Sequence, residues 1–90
     1  MVKKRNKIEI IQDILRTIRD KRGKIKQTHL MYKVNLSHKL MKSYLEELIA
    51  KEMISEIKEE RNIYILIKPR GEEFMDKLKK LTEFQEAFGL

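Results

Sequence analysis

The stretch Thr28–Met53, THLMYKVNLSHKLMKSYLEELIAKEM, constrains this chain more than any other. It reads as two helices about a tight turn. Thr28 is placed to cap the first, which runs to about Val34, because its hydroxyl can accept from a free amide of the first turn. Asn35 tolerates left-handed backbone geometry, Leu36 can point inward, and Ser37 is a second capping residue. From Ser37 onward, Leu40, Met41, Tyr44, Leu45, Leu48 and Ile49 recur at i, i+3, i+4 and i+7, an apolar stripe that must be packed. His38, Lys39, Lys42, Ser43 and Glu46 take the opposite face. Helix, three-residue turn, and helix with a basic outer face describe a helix-turn-helix.

His38 and Lys39 follow the cap at once, where the helix dipole makes further cations unfavourable by about 0.3–1 kcal/mol each. A helix tuned for stability alone would carry Asp or Glu there, yet its acids, Glu46 and Glu47, come later. Exposed lysines are tolerated on any helix surface, so the placement carries only part of the weight. It becomes useful if that end meets phosphates or guanine edges.

Charge is divided unevenly along the chain. Residues 1–42 hold 13 Lys/Arg against Glu9, Asp13 and Asp20, a balance of +10, whereas residues 43–90 hold 8 Lys/Arg against 11 acids, a balance of −3. One basic half is a directional footprint for a polyanion, nucleic acid first and an anionic membrane a distant second. MVKKRNK could pass for the start of a signal segment, but Glu9 and Asp13 interrupt the apolar run behind it. The chain therefore reads as soluble and cytoplasmic, with no membrane span. Its 90 residues allow one modest core.

Little here suggests chemistry. There is no cysteine, so neither a disulfide framework nor a thiolate metal site is available. His29 and His38 stand nine residues apart without a partner constellation, so no metal is expected. No Gly-rich phosphate loop, paired-carboxylate site or Ser/His/Asp arrangement is visible, so no cofactor and no enzyme activity are expected. Tyr32 and Tyr44 could stack on bases, but at helical spacing beside Leu and Met they read as core or edge residues.

The remaining elements follow in order. Residues 1–7 form a basic arm. Asn6 is placed to cap a helix to about Asp20 or Lys21, with Ile8, Ile11, Ile14, Leu15 and Ile18 inward and Gly23 ending it. Lys24–Lys26 alternates once, as a very short strand would. Ile54–Ile57 and Ile63–Ile67, joined by a polar loop of about four residues, read as a β-hairpin, the second strand buried on both faces. Pro69 stops that strand and starts a helix to about Phe88. There Phe74, Leu78, Leu81, Gln85 and Phe88 follow 4-3-4-3 spacing, with Phe84 on the flank, a short heptad seam for self-association. Antiparallel pairing would bring Phe84 and Phe88 of one copy beside Phe74 of the other and align the dipoles favourably.

This order of elements is that of a winged helix, and HLMYKVNLSHKLMKSYLEELIAKEMI resembles the core of small archaeal winged-helix DNA-binding proteins of the 10a type. Met31, Tyr32, Asn35, Leu36, Ser37, Tyr44, Leu45, Leu48 and Ile54 stand where that pattern expects them, and Gly71 follows the second hairpin strand. The resemblance covers about Ile8 to Phe88. It implies a dimeric, nucleoid-associated protein that binds double-stranded DNA, as transcriptional regulator or chromatin-like architectural protein, with C-terminal helices paired antiparallel. Two departures stand out. The wing carries Glu59 and Glu60 beside Lys58 and Arg61, and Lys68–Pro69–Arg70–Gly71 lacks the usual Thr or Ser cap.

The expected fold is thus α+β, mainly α: a winged helix-turn-helix with a hairpin wing over residues 1–68 and a long dimerisation helix over residues 69–90. Lys3, Lys4, Arg5, Lys33, Ser37, His38, Lys39, Lys42, Ser43 and Arg61 are the expected DNA contacts. Phe74, Leu78, Leu81, Phe84, Gln85 and Phe88 are the expected dimer interface. The competing readings are a protein-interaction module, which would bind an acidic protein, and an RNA-binding domain. No effector can be inferred.

Overall fold

The computed structural model describes residues 5–90. Its elements are α1 (Lys7–Asp20), β1 (Lys24–Lys26), α2 (Gln27–Val34), α3 (His38–Ala50), β2 (Ile54–Glu59), β3 (Asn62–Ile67) and α4 (Pro69–Ala87). The three strands form one antiparallel sheet in the order β1-β3-β2. This is a winged helix-turn-helix, mainly helical, with a hairpin wing and a long last helix.

α1 begins in a capping box. Asn6 Oδ1 accepts from the Glu9 amide at 2.8 Å, and Glu9 Oε1 accepts from the Asn6 amide at 3.2 Å. Ile11, Ile14, Leu15 and Ile18 are buried; Ile8, expected with them, is 46% exposed, because the first turn projects past the core. The helix ends where Arg22 and Gly23 take positive φ and the Gly23 amide returns to the Ile18 carbonyl at 2.9 Å.

Within the sheet, Ile25 lies opposite Ile65, which lies opposite Glu56. Side chains alternate across a strand, so Ile25, Ile54 and Ile65 share the face that meets the helices and are buried. Tyr64, Leu66 and Ile57 point the other way and stay half-buried. β3 is therefore not buried on both faces, since a sheet of three strands here has helices on one side only. The hairpin is also tighter than expected: Glu59 pairs with Asn62, leaving the two residues Glu60 and Arg61 as the turn, with Glu60 at φ 56°.

α4 starts at Pro69, whose missing amide costs nothing at the first helical position. Gly71 is buried against the chain entering β2. A Cβ there would run into the Met53 carbonyl oxygen and lie 2.9 Å from Ile67 Cγ1. The resemblance's glycine thus has a packing reason. Met75 is buried and Phe74 and Leu78 are half-buried. Beyond Leu78 every residue is exposed.

Candidate nucleic-acid interface

β1 passes directly into α2, with Lys26 extended at the cap position and no side chain capping the first turn. The helix therefore starts at Gln27, one residue before Thr28, whose hydroxyl falls past the capping position. α2 buries Leu30 and Val34. Tyr32 lies about 200° round the helix from both, and it is 82% exposed rather than in the core. Lys33 is exposed beside it.

Asn35 ends α2 in left-handed geometry, φ 58° and ψ 52°. Ser37 then caps α3, its hydroxyl oxygen accepting from the Leu40 amide at 3.2 Å. Leu36 packs against the core before the cap and Met41 is buried four residues after it, which fixes the entry angle of the chain. Met41, Leu45 and Leu48 seat α3, with Tyr44 and Ile49 half-buried at its margins. Leu40, expected in this stripe, is 47% exposed, because it stands about 100° round the helix from Met41.

That packing turns His38, Lys39, Lys42, Ser43 and Glu46 to solvent. Lys39 and Lys42 have no ion-pair partner among the described residues, and the first turn of α3 holds no acid. Among the described residues, the one carboxylate on this helix held in an ion pair is Glu47. It takes Lys7 Nζ at 2.7 Å and Lys51 Nζ at 3.9 Å. Its hydrogen bond to Lys7 holds its carboxyl below the usual range and raises the Lys7 ammonium. Glu47 is thus neutralised from α1, while Glu46, Lys39 and Lys42 on the outer face form no ion pair among the described residues.

Other expected contacts are placed differently. Arg5 does not belong to a free arm: its guanidinium donates to Asp13 Oδ2 at 2.8 Å and to the Asn35 carbonyl at 3.4 Å, bracing the turn between α2 and α3. Lys3 and Lys4 lie outside the described residues. Arg61 is exposed at the tip of the wing. Glu59 beside it is less of an obstacle than its sequence position suggests. Lys24 Nζ reaches it across the sheet at 2.7 Å while sitting 4.7 Å from the Tyr64 ring centroid. The wing tip therefore presents Lys58 and Arg61 against Glu60. Gln27 is a lining residue with His38 and Lys42 of the hollow between α3 and the wing. The sequence offered no signal for it, since it depends on how β1 delivers the chain into α2.

Of the expected interface residues of α4, Phe74 and Leu78 are half-buried and Leu81, Phe84, Gln85 and Phe88 are exposed. Leu81 is 53% exposed, Phe84 61% and Phe88 68%. Phe84 and Phe88 stack on each other with ring centroids 5.0 Å apart, Gln85 is exposed between them, and Phe74, Leu78 and Leu81 line a shallow apolar hollow with Ile8. Among the described residues no group of His, Cys, Asp and Glu could hold a metal, and no helix is long and apolar enough to cross a membrane.

Comparison with known proteins gives the same architecture. An uncharacterized protein of Methanocaldococcus jannaschii is 33% identical over 78 residues, 87% of this chain but only 34% of its own length, so this chain spans about a third of that relative. Sso10a-2, a DNA-binding protein from Sulfolobus solfataricus, superposes with a TM-score of 0.78 at 20% identity, covering 93% of this chain and 85% of that one. A winged-helix DNA-binding protein from STIV gives 0.77 at 13% identity, with 93% and 95% coverage. A family model described as winged helix-turn-helix matches residues 4–86. With that match spanning nearly the whole chain, and every element of the fold in place, the chain belongs to the winged helix-turn-helix family.

Proposed function

We propose that this protein binds double-stranded DNA as a homodimer, as a transcriptional regulator or an architectural protein of the nucleoid. The observation that carries the reading is α3. Its first two turns present His38, Lys39, Lys42 and Ser43 to solvent, with both lysines free of ion pairs among the described residues. In the helix-turn-helix arrangement the second helix lies in the major groove with its N-terminal residues at base edges. Lys39 and Lys42 are suited to phosphates and to guanine O6/N7, and Ser43 is permissive, so sequence preference is modest. Ser37, Lys33 and Arg61 contact the flanking backbone, and Lys3 and Lys4 add to it. Arg5 acts by holding the turn. Sso10a-2 and the STIV protein are DNA-binding proteins, which supports the same role here.

Residues 69–90 serve as the dimerisation element and residues 1–68 as the DNA-binding domain. The apolar surface of Leu81, Phe84 and Phe88, which continues from the half-buried Phe74 and Leu78, lacks cover among the described residues, and contiguous exposed apolar surface marks an interaction site. Charge favours antiparallel pairing. Residues 69–80 carry Arg70, Lys77, Lys79 and Lys80 against three acids, whereas residues 81–90 carry Glu83 and Glu86 with no base. Antiparallel helices set the basic half on the acidic half. The 19 residues of α4 span about 29 Å, which places the two α3 helices far apart on the DNA.

Titration of random-sequence duplex at several salt concentrations tests this reading. Log affinity should fall linearly with log salt, at a slope of about −0.9 for each phosphate neutralised. Binding to an acidic protein or to single-stranded RNA in preference to duplex would contradict it.

A further inference from the structure

Positive charge is densest away from α3. Between residues 16 and 26, Arg16, Arg19, Lys21, Arg22, Lys24 and Lys26 stand against Asp20 alone. Arg16 is engaged by Asp13 at 2.6 Å and Lys24 by Glu59 at 2.7 Å. Arg19, Lys21, Arg22 and Lys26 form no ion pair among the described residues. Cations after α1 do suit the negative end of its dipole. That does not explain Lys68, which stands at the positive end of α4 and yet joins Arg19 and Arg22 in lining one open hollow. Among the described residues Glu72 is the only acid in that lining.

The hollow is built on backbone bonds. The Ile67 amide donates to the Gly23 carbonyl at 3.0 Å, the Gly23 amide to Ile18 at 2.9 Å, and the Lys68 amide to Met53 at 2.9 Å. The end of α1 and the junction of β3 with α4 are thereby locked together, and their cations converge on one concave surface. It is remote from the turn of the helix-turn-helix. α1 starts beside that turn, where Arg5 meets Asn35, and its 14 residues carry the chain about 21 Å to the other end.

We propose that the Arg19–Arg22–Lys68 hollow is a second phosphate-binding surface, which holds a DNA segment other than the one on α3. The proposal rests on the DNA-binding reading and adds to it a second site on the same chain. A duplex of about one helical turn, roughly 10 base pairs, can occupy only one surface at a time, so its affinity reports the tighter of the two, α3. Capture of a labelled duplex by a bead-bound duplex measures both surfaces together. The Leu78→Glu/Leu81→Glu chain is used throughout, so that a paired copy cannot supply the second contact. Adding Arg19→Glu/Arg22→Glu should lower capture at least about tenfold while one-turn affinity changes less than about twofold. Lys68→Glu should do the same from another element, with helix content checked by circular dichroism. Unchanged capture, or no capture by the parent chain, would overturn the proposal, and so would an equal fall in one-turn affinity, which would merge the hollow with the α3 contact. Failure of the parent chain to bind even the one-turn duplex would instead remove the DNA-binding reading and this proposal with it.

Discussion

α1 and α4 carry apolar stripes of the same helical period, and the two end in opposite environments. Ile14, Leu15 and Ile18 of α1 are fully buried by α2, the sheet and the start of α4. Leu81, Phe84 and Phe88 of α4 are more than half exposed. Periodicity states that a face must be covered, and says nothing of which chain covers it. For α1 the cover lies within the chain. For α4 only the first two turns find it, at Gly71, Phe74 and Met75, and the rest of the helix runs on past the body. Its own ion pairs, Lys77–Glu73 at 3.2 Å and Lys80–Asp76 at 3.3 Å, support the helix locally without burying its stripe.

Charging the uncovered stripe of α4 should have the largest effect. If α4 pairs two copies as proposed, Leu78→Glu/Leu81→Glu should give a monomer in sedimentation and lower affinity for long duplex by about 10²–10⁴-fold as bivalency is lost. A wild-type chain already monomeric at micromolar concentration would contradict the role given to α4. Truncation distinguishes the two stripes next. Leu15→Ala should cost about 2–5 kcal/mol in urea unfolding at any protein concentration. Leu81→Ala should leave the dilute chain within about 0.5 kcal/mol and act only by weakening association. At the root of α4, Gly71→Ala should destabilise by about 1–3 kcal/mol, as expected for overpacking against backbone, although alanine is the better helix former. Equal stability would mean that the Met53 strand can retreat.

The smallest effect concerns Lys7 and Glu47, since both side chains keep solvent contact. Glu47 is held below its ordinary carboxyl range, so its contribution is present above that range and fades as pH falls through the lowered value. Lys7 is raised, so its part is present at neutral pH and is lost only as pH rises past the ammonium range. Glu47→Gln should therefore lower the neutral-pH part of the stability profile slightly and leave its acid extreme unchanged, so that the acid limb is flatter.

Much of this was legible from residue spacing. Asn6, Asn35, Ser37 and Pro69 act at the boundaries where their chemistry places them, and the outer face of α3 follows from the residues that must go inward. The misses have a common cause. Thr28, Tyr32, Leu40 and Ile8 fit the local pattern, but their placement depends on where neighbouring elements stop. Lys26 leaves β1 straight into α2 and shifts the cap; the core ends before Ile8 and to one side of Leu40. The pairing of Lys24 with Glu59 and the convergence of Lys68 on Arg19 and Arg22 join residues 35 to 49 positions apart, which only the sheet brings together.

The first two turns of α3 are the proposed DNA contact, and the salt dependence of Lys39→Ala/Lys42→Ala tests it most directly. If both lysines neutralise phosphates, the slope of log affinity against log salt should shrink by about 1.8 relative to the wild-type chain. Circular dichroism should stay unchanged, because both side chains are exposed and unpaired among the described residues. An unchanged slope and affinity would place the binding surface elsewhere on the molecule.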